Sequence, residues 1–326
     1  MVRFVSRRFI SELTDATQVD EVFRASGKQL RPNRNGNLYL QVQLSDRTGS
    51  ITAMLWNAND RIYRSFQNGD FVHIDGTAQL YNGNIQVIAT QIERVEAVTV
   101  DEADFLHTGS CDLGKLMGRL KEIVQGIKNI HLRNLVECFL VDEEFMERFT
   151  QTPAGIKIHH AYRGGLLEHV VTLMELAQFV GQHYVDLDAE LLTVGAFIHD
   201  IGKTIELSDG PDMEYTDEGQ LIGHVTIGVN MLDEKVRETD MMAEEPIPQD
   251  LVLQLKHMIV SHHGTYEYGS PKLPMTLEAI ALHYLDSLDS KVQSFAQIIH
   301  DDPNSDNQWT SYQANLGRKL FKGRGN

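Results

Sequence analysis

The stretch GAFIHDIGK, residues 195–203, sets an imidazole and a carboxylate side by side at the end of an apolar segment. The run AELLTVGAFI, residues 189–198, repeats apolar side chains at helical spacing and predicts a helix that ends at His199 and Asp200. A polar group beside an apolar helical face costs free energy unless it finds a partner. The pair therefore raises the question of which other side chains meet it in space.

The histidines of the chain are concentrated around this stretch. Ten of the 14 lie between His159 and His283, and several stand at the start or the end of apolar helical segments. Together with nearby aspartates they form an ordered series, which comprises His169, His199, Asp200, His224, His262, His263 and Asp286. One or two divalent cations would satisfy all seven groups, and mixed nitrogen and oxygen ligands suit Mn²⁺, Fe²⁺, Co²⁺ or Zn²⁺ better than Ca²⁺. A lone histidine beside apolar residues is more often a hydrogen-bonded structural group, so the hypothesis rests on the whole series.

The sequence after residue 100 is helical throughout. Leu113, Leu116 and Leu120 open a run of apolar residues at spacings of three and four, which is typical of an amphipathic helix. This run covers about 113–127, and similar patterns cover about 130–149, 165–184, 187–201, 219–237, 250–262 and 275–300. We expect residues 101–150 to form a helical linker or the start of an all-α domain, and residues 151–326 to form the domain itself.

The first hundred residues have the pattern of a small β domain. Leu38, Leu40 and Val42 alternate with polar residues, as in a half-buried strand, and Asn82-Gly83 is a strong signal for a tight hairpin. About five strands with short turns predict an OB-type barrel over residues 1–100, with a sandwich as the alternative. The segment RASGKQLRPNRNGN, residues 24–37, is rich in basic residues and glycine and is predicted to be a mobile loop.

Charge divides the chain in the same way as the predicted elements do. Residues 1–100 carry 11 basic and 10 acidic side chains, whereas the remainder carries 18 and 36, so nearly all of the net charge of −17 belongs to the helical part. Two cysteines and no apolar run long enough for a membrane span or a secretory signal favour a reduced, cytoplasmic compartment with no membrane partner.

A barrel of this kind commonly binds single-stranded nucleic acid by stacking bases on aromatic rings beside a basic groove. Candidate stacking platforms and phosphate contacts in the barrel are Tyr39, Trp56, Tyr81, Arg31, Arg34 and Arg47. The alternative is that the aromatic rings fill the barrel and the arginines form a solvated face.

Five motifs carry a family resemblance: IHHAYRGGLLEH, FIHDIGK, GQLIGHVTIG, LKHMIVSHHGTYEYGSP and LHYLDSLDSK. Their order resembles the HD-domain superfamily of metal-dependent phosphohydrolases. With an OB-like barrel in front, nearly the whole chain resembles the YhaM-type 3′→5′ exoribonucleases. The resemblance implies an OB domain fused to a helical HD domain, stepwise 3′→5′ degradation of single-stranded RNA and often DNA, and assembly into homo-oligomers. It also implies Mn²⁺ or a similar ion, with Co²⁺, Fe²⁺, Mg²⁺ and Zn²⁺ as alternatives.

The resemblance also implies roles for individual residues. The first ion would be held by His169, His199, Asp200 and Asp286, and the second by Asp200, His224, His262 and His263. Asp289 competes with Asp286, because helical geometry places it nearer the apolar stripe of its helix, although the order of the motifs favours Asp286.

The chemistry that follows is attack by a water whose pKa the ions lower, which yields nucleoside 5′-monophosphates. Asp200 would bridge the ions. Lys203 would either hold a phosphate oxygen or satisfy carbonyl groups at its helix end. His159, His160 and Arg163 are candidates for the substrate entrance, and a polar loop is the alternative for them.

Two other functions remain open on the sequence. One is an HD phosphodiesterase of small or cyclic nucleotides, which would have little use for the barrel. The other is a non-catalytic accessory protein that binds single strands, which would have little use for the complete ligand series.

Overall fold

The computed structural model describes residues 7–33, 36–81, 84–101, 104–105, 112–155, 162–208, 214–300, 302, 307–313 and 316–323. The chain divides into two compact units, one of Met1–Thr108 with Phe295–Asn326 and one of Gly109–Ser294. Each is described by itself below.

The first unit is built on a closed five-stranded barrel with the strand order β1-β2-β3-β5-β4. Its elements are β1 (Gln18–Pro32), β2 (Leu38–Asp46), β3 (Gly49–Trp56), a short helix α1 (Asp60–Arg64), β4 (Phe71–Tyr81) and β5 (Asn84–Val95). All neighbouring strands are antiparallel except β3 and β5, which are parallel. The closed order confirms the predicted barrel and excludes the sandwich.

Alternation along the strands determines which side chains fill the barrel. Leu40, Val42 and Leu44 are fully buried, whereas the residues between them are half-buried on the outside. The predicted hairpin joins β4 to β5, whose last and first residues, Tyr81 and Asn84, are paired. Asn82 and Gly83 themselves lie outside the described residues.

The prediction of a mobile loop over residues 24–37 was wrong for most of that range, because β1 continues to Pro32. This long strand pairs with both of its neighbours, and Arg24 is opposite Ser45 of β2 and Phe71 of β4. Gly27 has a φ of +55° where the register shifts between Ser26 and Gln29. A bulge with a left-handed glycine bends the strand from one partner to the other. The polar and glycine-rich composition therefore reflects a curved strand.

The second unit is helical, as predicted. Its helices are α2 (Leu113–Gln125), α3 (Ile130–Leu140), α4 (Glu143–Gln151), α5 (Gly165–Gly181), α6 (Ala189–Ile198), α7 (Lys203–Glu206), α8 (Asp217–Met242), α9 (Gln249–Ser261) and α10 (Leu277–His300), the last of which ends in the first unit. The single helix expected over 130–149 is two helices. Asp142 accepts a hydrogen bond from the backbone N–H of Phe145, and such an N-cap starts a new helix.

Helix α6 lies at the centre of the helical core. Each of its residues from Leu191 to Ile198 is buried. A Cβ atom on Gly195 would lie 1.9 Å from the methyl group of Met258, so α9 packs directly on this glycine. Close packing on all sides fixes the end of α6, where His199 and Asp200 follow. None of the helices within the described ranges combines the length and the apolar composition that a bilayer span requires.

Candidate functional site

Five parts of the helical unit bring the predicted series together. His169 lies in α5, His199 and Asp200 follow α6, and His224 lies in α8. His262 and His263 follow α9, and Asp286 lies in α10. The side chains form two clusters of potential metal ligands, one of His169, His199 and Asp200 and one of His224, His262 and His263. Residues distant in the sequence thus share one centre.

The first cluster is buried and contains both nitrogen and oxygen ligands. The Nε2 atoms of His169 and His199 are 3.4 Å apart, and His199 Nε2 is 3.3 Å from Asp200 Oδ2. Asp286 Oδ1 lies 3.4 Å from His169 Nε2 and completes the group. Two imidazoles and two carboxylates are a set that first-row divalent ions accept.

The second cluster consists of three imidazoles, two of which lie close to the other oxygen of Asp200. Asp200 Oδ1 lies 3.5 Å from His224 Nε2 and 3.6 Å from His262 Nε2. The rings of His262 and His263 are 4.2 Å apart, and the rings of His224 and His263 are 5.2 Å apart. Each Asp200 oxygen therefore faces a different cluster.

The hydrogen bonding of three buried atoms shows whether the centre suits bound cations. Asp200 Oδ1, His224 Nε2 and His263 Nδ1 are buried and have no hydrogen-bond partner among the described residues. Unpaired buried polar atoms of this kind are costly, and a divalent ion would satisfy all three. The residues present fit a metal centre.

The outward-facing nitrogens of four histidines are held by other groups. His199 Nδ1 lies 2.9 Å from the carbonyl of Ala196, and His262 Nδ1 lies 2.7 Å from the carbonyl of Ile259. Glu206 holds His224 Nδ1 at 3.0 Å, and Asp289 holds His169 Nδ1 at 2.7 Å. Because Nδ1 is occupied in each ring, Nε2 is directed to the centre. This is how proteins orient metal-binding imidazoles.

Asp286 and Asp289 thus contact opposite nitrogens of His169. Asp286 faces Nε2, on the side of the centre, and Asp289 faces Nδ1. The Asp289 side chain is buried, as its place in the apolar stripe predicts.

The electrostatics of the site favour a bound positive charge. Burial would lower the pKa of His169, but hydrogen bonds to Asp286 and Asp289 raise that pKa to about 9. Burial would raise the pKa of Asp200, but Lys203 and the neighbouring imidazoles hold it well below its usual value. Burial lowers the pKa of His262 and favours the neutral, ligating form. The two carboxylates beside His169 therefore favour a positive charge at this position.

Lys203 contacts Asp200 directly. Its Nζ donates to Asp200 Oδ2 and to the carbonyl of Ala154, both at 2.6 Å. Burial would lower the pKa of this ammonium group, but the ion pair with Asp200 raises it. Lys203 therefore fixes the orientation of the carboxylate that lies between the two clusters.

Comparisons with known proteins agree with both units. The pattern of an OB-fold nucleic acid binding domain matches residues 20–95, and that of an HD domain matches residues 166–291. A 3′-5′ exoribonuclease YhaM of Bacillus subtilis (strain 168) is 36% identical over 282 residues, which cover 84% of this chain and 85% of that protein. The chain belongs to the YhaM family of 3′-5′ exoribonucleases. A second YhaM, from Bacillus velezensis (strain DSM 23117 / BGSC 10A6 / LMG 26770 / FZB42), is 35% identical over 278 residues, with 84% and 85% coverage.

Membership in the YhaM family confirms the resemblance drawn from the motifs and makes the chain a hydrolytic nuclease. HD domains bind divalent metals, in agreement with the two clusters of histidine and aspartate.

The barrel of this YhaM-family chain brings three of the predicted nucleic-acid residues into one row. Arg31 of β1 is opposite Tyr39 of β2, which is opposite Trp56 of β3. The rings of Tyr39 and Trp56 are 5.3 Å apart, and Trp56 is 46% exposed. Trp56 and the exposed Tyr81 also line one groove of about 720 Å³ on the barrel surface. These aromatic rings therefore lie outside the barrel core.

Arg47 lies away from this surface of the barrel. Arg47 follows the opposite end of β2 from Tyr39, where its guanidinium lies 3.6 Å from Asp104 and 4.2 Å from the ring centre of Phe9. Arg163 is exposed in the turn before α5. Arg34, His159 and His160 lie outside the described residues.

Two groups next to the centre were not predicted from the sequence. Glu206 ends the short helix α7, and its sequence, KTIELSD, resembles any acidic helix end. The carbonyl of Ala154 holds Lys203, and a backbone group leaves no signal in the sequence. The only sign of Glu206 in the sequence was an acidic residue soon after HDIGK.

Proposed function

We propose that this chain removes nucleotides one at a time from the 3′ end of single-stranded RNA and releases nucleoside 5′-monophosphates, with single-stranded DNA as a further substrate. The observation that carries the proposal is the position of Asp200, whose two oxygens face two clusters of imidazoles. A carboxylate between two ligand clusters could help to hold both ions of a two-ion site, which would activate water for attack on a phosphodiester.

The residues proposed to hold the ions form two sets around Asp200. His169, His199, Asp200 and Asp286 would hold the first, and Asp200, His224, His262 and His263 the second, with Mn²⁺ as the first ion to test and Co²⁺, Fe²⁺, Mg²⁺ and Zn²⁺ as alternatives. When bound, such ions lower the pKa of water and offset negative charge on phosphorus. The mixed ligands of the two clusters support this assignment.

Side chains of the protein position the reacting groups. Lys203 keeps Asp200 in place through its 2.6 Å hydrogen bond. An ammonium group has three N–H donors, and the two that bind Asp200 and Ala154 leave a third for a phosphate oxygen. Arg163, exposed before α5, is the proposed phosphate contact at the entrance.

The outer face of the barrel is the proposed binding surface for the strand. Exposed aromatic rings accept stacked bases of any sequence, and Arg31 at the end of the row can meet the phosphates. Tyr39, Trp56 and Tyr81 are the proposed platforms, and Arg34 and Arg47 are further proposed phosphate contacts.

Replacing Trp56 tests this surface. Loss of one stacked base costs about 1–3 kcal/mol, so we expect Trp56→Ala to weaken binding of a single-stranded RNA of some twenty nucleotides by roughly 5- to 150-fold, measured by fluorescence anisotropy. Hydrolysis of a dinucleotide should change little, because a dinucleotide does not need the platform. Trp309→Ala is the matched control, since Trp309 is 48% exposed and lies outside the barrel strands. Equal weakening by both variants would contradict the assignment.

An end-labelled strand tests the activity itself. RNA with a label at its 5′ end should give a ladder that shortens by single nucleotides in the presence of Mn²⁺, with labelled mononucleotide or dinucleotide only at the end. An untouched strand together with hydrolysis of cyclic or small nucleotides would favour the phosphodiesterase. Binding without any turnover would favour the accessory protein.

We also propose that several copies of the chain assemble. Leu277, Ile280, Tyr284 and Leu288 form an exposed apolar stripe along α10, and it borders a groove of about 650 Å³. Contiguous exposed apolar surface of this kind marks interaction sites, and its regular helical spacing suits packing against the same helix of a second copy. Light scattering measures the mass directly, and particles of a single chain would contradict assembly.

A further inference from the structure

Glu206 makes two hydrogen bonds to a single residue of the metal centre. Its Oε1 atom lies 3.0 Å from the backbone nitrogen of His224 and 3.0 Å from Nδ1 of the same residue. The Glu206 side chain is nearly buried, with 8% of the residue exposed. One carboxylate thus holds both the main chain and the ring of His224.

A break in α8 makes this double contact possible. Gly223 has a φ of +73° and a ψ of 156°, a conformation that is open almost only to glycine. The break interrupts the regular helical hydrogen bonds just before His224, and Glu206 accepts the N–H that is released. The ring of His224 leaves the helix at a point where the chain itself is bent.

Two further glycines allow α7 to approach the bend. A Cβ atom on Gly202 would lie 2.0 Å from the carbonyl oxygen of His224, and one on Gly219 would lie 2.3 Å from the carbonyl oxygen of Glu206. Backbone contacts this short cannot be relieved by moving a side chain. Glycine at positions 202 and 219 therefore permits the close approach of α7, which carries Glu206, to His224.

The second cluster has particular need of such a carboxylate. The first cluster is paired with Asp286 and, through His169, with Asp289. The second consists of three imidazoles that share Asp200. A carboxylate that accepts from the outer nitrogen of an imidazole orients the ring and makes its other nitrogen a stronger ligand. In His224 this other nitrogen is Nε2, which has no hydrogen-bond partner among the described residues and lies on the side of the centre.

We propose that Glu206 is the positioning residue of the second cation: it fixes His224 at the bend of α8 and thereby sets the affinity of the second ion, without touching the ion or the substrate. The proposal rests on the two-ion centre of the proposed function.

The test is a titration of the metal-free full-length chain with Mn²⁺. Binding is measured by calorimetry and by the decrease of the free Mn²⁺ signal in electron paramagnetic resonance. The wild-type chain should bind two ions. Glu206→Gln keeps the shape and the acceptor oxygen but removes the charge, so the second ion should bind roughly 10- to 100-fold more weakly while the first is unchanged. Glu278→Gln is the matched control, because Glu278 is 7% exposed and accepts the backbone N–H of Asp188 away from the centre.

A double variant separates positioning from general stability. If Glu206 acts through His224, then Glu206→Gln should add nothing to the loss caused by His224→Gln, because the two changes remove one interaction. Additive losses, or two ions bound by Glu206→Gln with wild-type affinity, would overturn the proposal. A wild-type chain that binds fewer than two ions would instead overturn the two-ion centre of the proposed function. The number of ions bound by the wild-type chain is therefore measured first, before the variants.

Discussion

Asp200→Asn is expected to abolish hydrolysis of single-stranded RNA, with a fall in kcat of about 1,000-fold or more. The amide has one oxygen and no charge, so it cannot offer an anionic oxygen to both clusters at once. Removal of a single group that stabilises a transition state already costs about 100- to 1,000-fold, and Asp200 would serve two ions. The measurement is the initial rate of nucleotide release under saturating RNA.

Folding of this variant needs its own control, because Lys203 loses the counter-charge that lies 2.6 Å away. The double variant Asp200→Asn/Lys203→Met removes both charges and should be equally inactive. Asp289→Asn provides a graded comparison, since Asp289 is similarly buried but contacts the outer nitrogen of His169 rather than the nitrogen that faces the centre, and its loss should cost about 10- to 100-fold. Wild-type turnover by Asp200→Asn would remove this residue from the reaction.

Removing divalent ions should abolish activity and also lower the melting temperature. Three buried atoms of Asp200, His224 and His263 lose their proposed partner when the ions leave. An ion present at 100 times its dissociation constant stabilises the folded state by about 2.7 kcal/mol, which corresponds to a shift of roughly 5–10 °C for a domain of this size. Differential scanning fluorimetry before and after dialysis against a chelator measures the shift.

Adding ions back tests whether the loss of activity and of stability is due to the removal of the ions. Mn²⁺ should restore both the activity and the melting temperature, and the Asp200→Asn chain should recover less of the temperature shift. Full activity in excess chelator, with an unchanged melting temperature, would contradict metal-dependent hydrolysis.

The sequence was sufficient to predict that the seven side chains of the centre lie close together, because four of the seven, His199, Asp200, His262 and His263, stand where apolar helices end. Helix α6 ends at Ile198, and the core around it fixes where His199 and Asp200 lie. The sequence could not show how Asp286 and Asp289 differ, since the two are one turn apart on α10; in the structure they contact opposite nitrogens of His169.

The features that sequence reasoning missed depend on backbone geometry. The role of Glu206 requires the bend at Gly223, and the curvature of β1 requires the left-handed Gly27. The presence of a glycine in a sequence shows neither the direction in which the chain bends nor which side chain contacts the bend. Similarly, Arg47 was expected beside the aromatic row, but its place after the far end of β2 follows from strand register.

The most direct test of the two-ion centre is an anomalous difference map from a crystal of the chain grown with Mn²⁺. The account predicts two peaks, one on each side of Asp200, with His169 and His199 at the first and His224, His262 and His263 at the second. A map without peaks there, or with its only peak at the more exposed cluster of Asp20, His73 and Asp75 on the barrel, would contradict it.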